Sequence, residues 1–113
     1  MSRLTINVDT FRMDTDKEAA LKPLEEAAEA FGAFQSVSRC EGRESSMCRL
    51  NMYPNTKQVD CQLYVDLADE IADVIQAACN LADRHGIDLQ AAMERCEERN
   101  RKRGRYEGEQ AVR

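Results

Sequence analysis

Residues 59–85 repeat their apolar side chains with a helical period: Leu67, Ile71, Val74, Ile75, Ala78, Leu81 and Ala82 gather on one side of a single helical wheel. A helix of that length with one apolar face needs other helices to cover it, because packing rather than propensity supplies most helical stability in water. The flanking sequence provides them. Gly86 stops this helix, Asp88 is placed to cap the next, and Leu89, Ala92, Met93 and Cys96 give a third helix its apolar side up to about residue 103. Upstream, residues 16–35 are rich in Ala, Glu, Leu and Lys, with Leu21, Leu24, Ala28, Phe31 and Gln35 down one side and Ala27 and Phe34 beside them. Pro23 sits either in the first turn of a helix that starts near Lys22 or at a kink in a longer one. Residues 4–8 alternate like a short strand but have no partner segment, so residues 1–15 are expected to be an extended lead-in. Residues 36–57 break the helical pattern, and 107–113 read as a flexible tail. The expected fold is all-α, an antiparallel helical bundle over residues 16–106.

A chain of 113 residues has room for one domain. At 42% hydrophobic and 33% charged it is too apolar for a disordered chain, and its longest uncharged stretches, residues 30–38 and 74–82, fall well short of the roughly 20 residues a membrane span needs. With no basic segment leading into an apolar run and an odd count of five cysteines without tight pairing, a reduced, cytoplasmic protein is expected. The net charge of −5 argues against binding duplex nucleic acid. Three helices with so many alanines make a thin bundle, so a homodimer or homotetramer is expected to complete it.

The charges are unevenly placed. No Lys or Arg occurs between Lys57 and Arg84, whereas Arg95, Arg99, Arg101, Lys102, Arg103 and Arg105 crowd the C-terminal end. Glu26 and Glu29 stand three residues apart on the first helix, as do Glu70 and Asp73 on the second, so each pair projects from one face with an offset of about 60°. Two such faces across a bundle bring four carboxylates towards one pocket. Converging negative charges call for a cation, and hard oxygen donors suit Mg²⁺ or Mn²⁺. On the third helix Asn100 and Arg103 continue the stripe of Leu89 and Cys96; they either fray into solvent or point inward, where the guanidinium fork suits a phosphate. Cys40, Cys48 and Cys61 lack the tight spacing of a zinc site, and His85 reads as a helix-terminal residue. Tyr53, Tyr64 and Tyr106 are candidates for stacking on a base, or core tyrosines.

The run Glu25-Glu26-Ala27-Ala28-Glu29, then Glu70-Ile71-Ala72-Asp73, then Gly86-Ile87-Asp88, and finally Asn100 and Arg103, resembles the MazG-like all-α nucleoside triphosphate pyrophosphohydrolases. That family pairs an EExxE with an ExxD motif on antiparallel helices and follows them with a GID turn and a late KxxxNxxR-like element. The resemblance covers about residues 20–106. It implies a Mg²⁺-dependent enzyme that cleaves a nucleoside triphosphate between the α and β phosphates, releasing a monophosphate and pyrophosphate. It further implies Glu26, Glu29, Glu70 and Asp73 as metal ligands, Glu25 as an auxiliary acid orienting water, and Asn100 and Arg103 as substrate contacts. Two departures stand out. The interval from Glu29 to Glu70 is long, making residues 36–57 an insertion that serves as lid, oligomer contact or part of a base pocket, and Cys96 stands where many relatives carry Lys. The alternatives are a non-catalytic helical module that binds nucleotides or a partner, and a phosphoribosyl-ATP pyrophosphohydrolase.

Overall fold

Thr15 starts the first helix: its hydroxyl oxygen accepts from the Glu18 amide at 3.1 Å and its carbonyl from the Ala19 amide at 3.1 Å, with Asp16 and Glu18 placing negative charge on the first turn. The computed structural model describes residues 3–41 and 62–107, which form α1 (Asp16–Glu41), α2 (Gln62–Arg84) and α3 (Leu89–Lys102). No strand occurs among the described residues, so the all-α class holds. The expectations placed on residues 42–61 and 108–113 lie outside them, including Tyr53, Cys48, Cys61 and most of the insertion.

α1 runs through Pro23 without ending there, and it continues past residue 35 to Glu41, so residues 36–41 are helix rather than part of an irregular insertion. Burial explains the extension. Val37 lands on the face that packs against α2 and is almost fully buried, while Ser36 folds its hydroxyl back onto the Gly32 carbonyl at 3.4 Å.

α1 and α2 pack antiparallel, with Asp16 meeting Arg84 at one end and Ser36 and Leu63 lining a common cleft at the other. The seam on α1 is Ala19, Pro23, Glu26, Ala30, Ala33 and Val37, at alternating spacings of four and three residues, each buried or half-buried. Among the described residues Ala19, Val37, Ala77 and Ala82 are the buried apolar ones. This corrects the expected orientation of α1: Leu24 and Phe31 lie more than a quarter turn around the helix from the seam and Phe34 at its border, about 60° from its centre, and all three are exposed. Small side chains let two helices approach closely, and α2 takes the face that allows it. On α2, Ala82 is buried and Leu67, Val74, Ile75 and Leu81 are half-buried, whereas Ile71 and Ala78 are exposed.

Gly86, at φ 65°, ends α2 with the Ile87 amide bonded to the Ala82 carbonyl at 2.9 Å and its own amide to the Asp83 carbonyl at 3.1 Å. Asp88 then caps α3, accepting from the Ala91 amide at 3.0 Å. α3 packs on α2 and makes no contact with α1. Gly104, at φ 73°, repeats the same left-handed ending after α3.

The lead-in is extended and held by side chains of α2. Asn80, buried, accepts from the Phe11 amide at 3.0 Å and from Gln76 Nε2 at 2.9 Å; Gln76 Nε2 also donates to the Asp9 carbonyl at 3.0 Å. Arg84 donates to the Met13 carbonyl at 2.6 Å and pairs with Asp16, holding that carboxyl below its ordinary value, while Arg3 reaches Glu97 on α3 at 3.1 Å. Asn80→Leu strips the Phe11 amide of its acceptor and is expected to cost about 1–3 kcal/mol. A lower denaturant midpoint together with faster exchange of the Phe11 amide is the expected readout; unchanged exchange at Phe11 would contradict the docking role of Asn80.

Candidate metal centre

The seam that brings α1 close to α2 carries one residue that is not small or apolar. Glu26 occupies a seam position and is only 7% exposed. Glu29 follows one turn later on the same side, and antiparallel pairing sets both level with Glu70 of α2. One carboxylate oxygen from each of Glu26, Glu29 and Glu70 lies within 4.8 Å of the other two. Oε2 of Glu26 and Oε2 of Glu70 are shut off from solvent and meet no hydrogen-bond donor.

A buried oxygen with neither water nor donor costs free energy, and two of them in one cluster of acids compound that with repulsion. Among the described residues the cation paired with this cluster meets the other oxygen of Glu26 and neither of these two atoms. Lys22 places its ammonium 3.2 Å from Glu26 Oε1 and 3.5 Å from Glu25 Oε2, and Glu26 in turn raises the Lys22 pKa above its ordinary value. Glu29 is exposed, yet its carboxyl is held above the ordinary glutamate range, first by its hydrogen bond with Glu26 and the Glu26 charge, then by burial and the Glu70 charge, with Lys22 pulling the other way. The donor set is hard, anionic and short of positive charge, the chemistry of a divalent-cation site.

A cleft of about 430 Å³ opens beside the cluster, lined by Glu29, Gly32, Ala33 and Ser36 from α1 and by Leu63, Asp66, Asp69 and Glu70 from α2. That volume lies within the range of small-molecule sites. Two acids on its wall, Asp66 and Asp69, went unnoticed as site candidates in the sequence, as did Lys22, whose spacings of three and four residues to Glu25 and Glu26 are the signal for an ion pair along a helix.

The other candidates are placed as follows. Glu25 is exposed and holds Lys22. Asp73 is exposed, one turn along α2 from Glu70 and outside the three-glutamate cluster. Asn100 is half-buried and donates to Cys96 Sγ at 3.6 Å, and Arg103 is exposed at the C-cap of α3, the helix that does not touch α1. Cys79 and Cys96 are free thiols. Arg101 rests its guanidinium over the Tyr106 ring at 5.7 Å, and His85 lies exposed in the turn after α2. Among the described residues no helix is long and apolar enough to cross a membrane.

Comparison of the chain with protein-family models, with curated proteins and with solved structures finds no match in any of the three.

Proposed function

We propose that the chain is a Mg²⁺- or Mn²⁺-dependent nucleotide pyrophosphohydrolase of the MazG-like kind, cleaving a nucleoside triphosphate between the α and β phosphates to a nucleoside monophosphate and pyrophosphate. The observation that carries this reading is the pair of buried, donor-free oxygens of Glu26 and Glu70, converging with Glu29 between two antiparallel helices. In this reading Glu26, Glu29 and Glu70 hold the cation, and Asp73, one turn along α2, completes the set. A divalent ion bound there neutralises charge on phosphate oxygens and lowers the pKa of water. Glu25 orients the attacking water, the cleft beside Glu29 and Glu70 receives the substrate, and Asn100 and Arg103 meet its phosphate or base from α3. Positioning and charge neutralisation are the main sources of rate in phosphoryl chemistry of this type. The same reading places the enzyme in the cytoplasm as a homodimer or homotetramer.

A second reading is favoured by the separation of α3 from α1, which sets Asn100 and Arg103 on a helix apart from Glu26 and Glu29. Here the chain is a non-catalytic helical module that binds a nucleotide or partner through its basic end. Incubation with Mg²⁺ and a panel of canonical and damaged NTPs and dNTPs, with phosphoribosyl-ATP included, separates the readings. Monophosphate plus pyrophosphate supports the enzyme, and phosphoribosyl-ATP as the sole substrate selects the histidine-biosynthesis type. Orthophosphate release, or no turnover across the panel, rejects the proposal.

A further inference from the structure

α1 carries a second pattern, on the side turned away from α2. Leu21, Leu24, Phe31 and Phe34 are 42%, 69%, 60% and 51% exposed, and the exposed Ala27 and Ala28 lie between them. Their positions are symmetric about the midpoint of Ala27 and Ala28: large at 21 and 24, small at 27 and 28, large again at 31 and 34. A helix face that reads the same from both ends is what a two-fold axis requires, since each residue i of one copy must meet residue j of the other and j must meet i.

We infer that this face pairs with the same face of a second copy, α1 lying antiparallel on α1 with the two-fold axis at Ala27 and Ala28. Leu24 of each copy then packs on Phe31 of the other, Leu21 and Phe34 share the flanking layers, and the alanines at the crossing let the helices approach closely. Charge agrees with this direction. The two-fold that sets position 24 level with position 31 also sets Asp16 of one copy level with Arg39 of the other, an opposite-charge pair at each end of the paired helices. Area agrees as well. With about 200 Å² for each large side chain, the quoted exposures leave on the order of 450 Å² of large apolar surface per copy, the size of the largest apolar patch on a soluble domain, which is often a binding surface. Two copies bring on the order of 900 Å² from these four side chains alone, most of the roughly 1,200 Å² at which stable interfaces begin, before the alanines between them are added. The inference stands apart from the carboxylate site, which lies on the other side of α1.

Sedimentation velocity of the full chain at micromolar concentration tests it, with the dimer expected at twice 12.8 kDa. Leu24→Glu is expected to give monomer, whereas Met93→Glu, an exposed apolar position on α3, keeps the dimer. Because position 24 of one copy meets position 31 of the other, Leu24→Glu combined with Phe31→Lys is expected to recover dimer that Leu24→Glu with Phe31→Glu does not. Should the charged variants lose their helical circular dichroism, Ala28→Cys decides, since it sits beside its own counterpart and is expected to give an oxidised, covalent dimer absent from the parent chain. A wild-type protein sedimenting at 12.8 kDa, a dimeric Leu24→Glu, or equal behaviour of the two charged double variants overturns the proposal. None of these outcomes bears on metal binding, which calorimetry reads independently.

Discussion

Saturation with Mg²⁺ or Mn²⁺ is expected to raise the melting temperature by on the order of 10 °C. A ligand that binds only the folded state at 100 times its dissociation constant adds about 2.7 kcal/mol, and a domain of this size gains about 4 °C or more per kcal/mol. Removing the cation with chelator reverses the gain. Glu70→Gln loses most of it, because the amide keeps the volume and gives up the charge, and scanning calorimetry of both proteins with and without metal is the measurement. The metal-free behaviour of Glu29 has its own sign. Its carboxyl titrates above the ordinary value of 4.5, so its contribution favours the fold fully below that value and is lost as pH rises through the raised one. At neutral pH the ionised Glu29 therefore works against the metal-free fold. Glu29→Gln is expected to melt higher than wild type without metal and to respond less to added Mn²⁺. A melting point that ignores divalent cations at every pH, in wild type and variants alike, would remove the metal site.

Turnover separates the roles of the two adjacent glutamates. On the proposed reading, Glu26→Gln is expected to lower kcat by at least about 100-fold and to raise the Mg²⁺ concentration needed for half-maximal rate, since it takes the charge from the buried, donor-free carboxylate proposed as a ligand. Glu25→Gln, at an exposed position, is expected to lower kcat by about 100-fold with an unchanged Mg²⁺ requirement, as loss of a group that positions water does. Excess Mg²⁺ partly restores the first variant and leaves the second where it is. If Glu25→Gln turns over like wild type, the water-orienting role passes to another group while the ligand assignment of Glu26 stands.

Periodicity and capping chemistry made the three helices legible, because Leu67 to Leu81, Gly86 and Asp88 are signals that act within a few residues of one another. That Glu26 and Glu29 share a face was legible for the same reason, but spacing could not show that this face meets Glu70, and it called Asp73 into the set although Asp73 lies outside the three-glutamate cluster. The packed face of α1 was not. Ranking by hydrophobicity selects Leu24 and Phe31, whereas the seam of Ala19, Pro23, Glu26, Ala30, Ala33 and Val37 is defined by small size and by the four-three alternation. Residues 36–41 hid their helix behind two serines, a valine and a cysteine of modest propensity, and only the burial of Val37 against α2 reveals it. The docking of the lead-in left no periodic trace at all, because two polar side chains, Asn80 and Gln76, hold backbone groups from a distant part of the sequence.

That docking also sets an order of events for a growing chain. The partners of residues 3–13 are encoded late: Gln76 stands 67 positions after Asp9, Asn80 69 after Phe11, and Glu97 94 after Arg3. Synthesis delivers the lead-in before its docking groups, so Leu4, Ile6 and Phe11 emerge while Gln76, Asn80 and Glu97 have yet to be made. Closing loops of that length costs entropy before any contact repays it. The lead-in thus waits for dozens of later residues before it reaches its place, and a chain stopped short of Asn80 presents its apolar side chains to whatever binds nascent apolar segments.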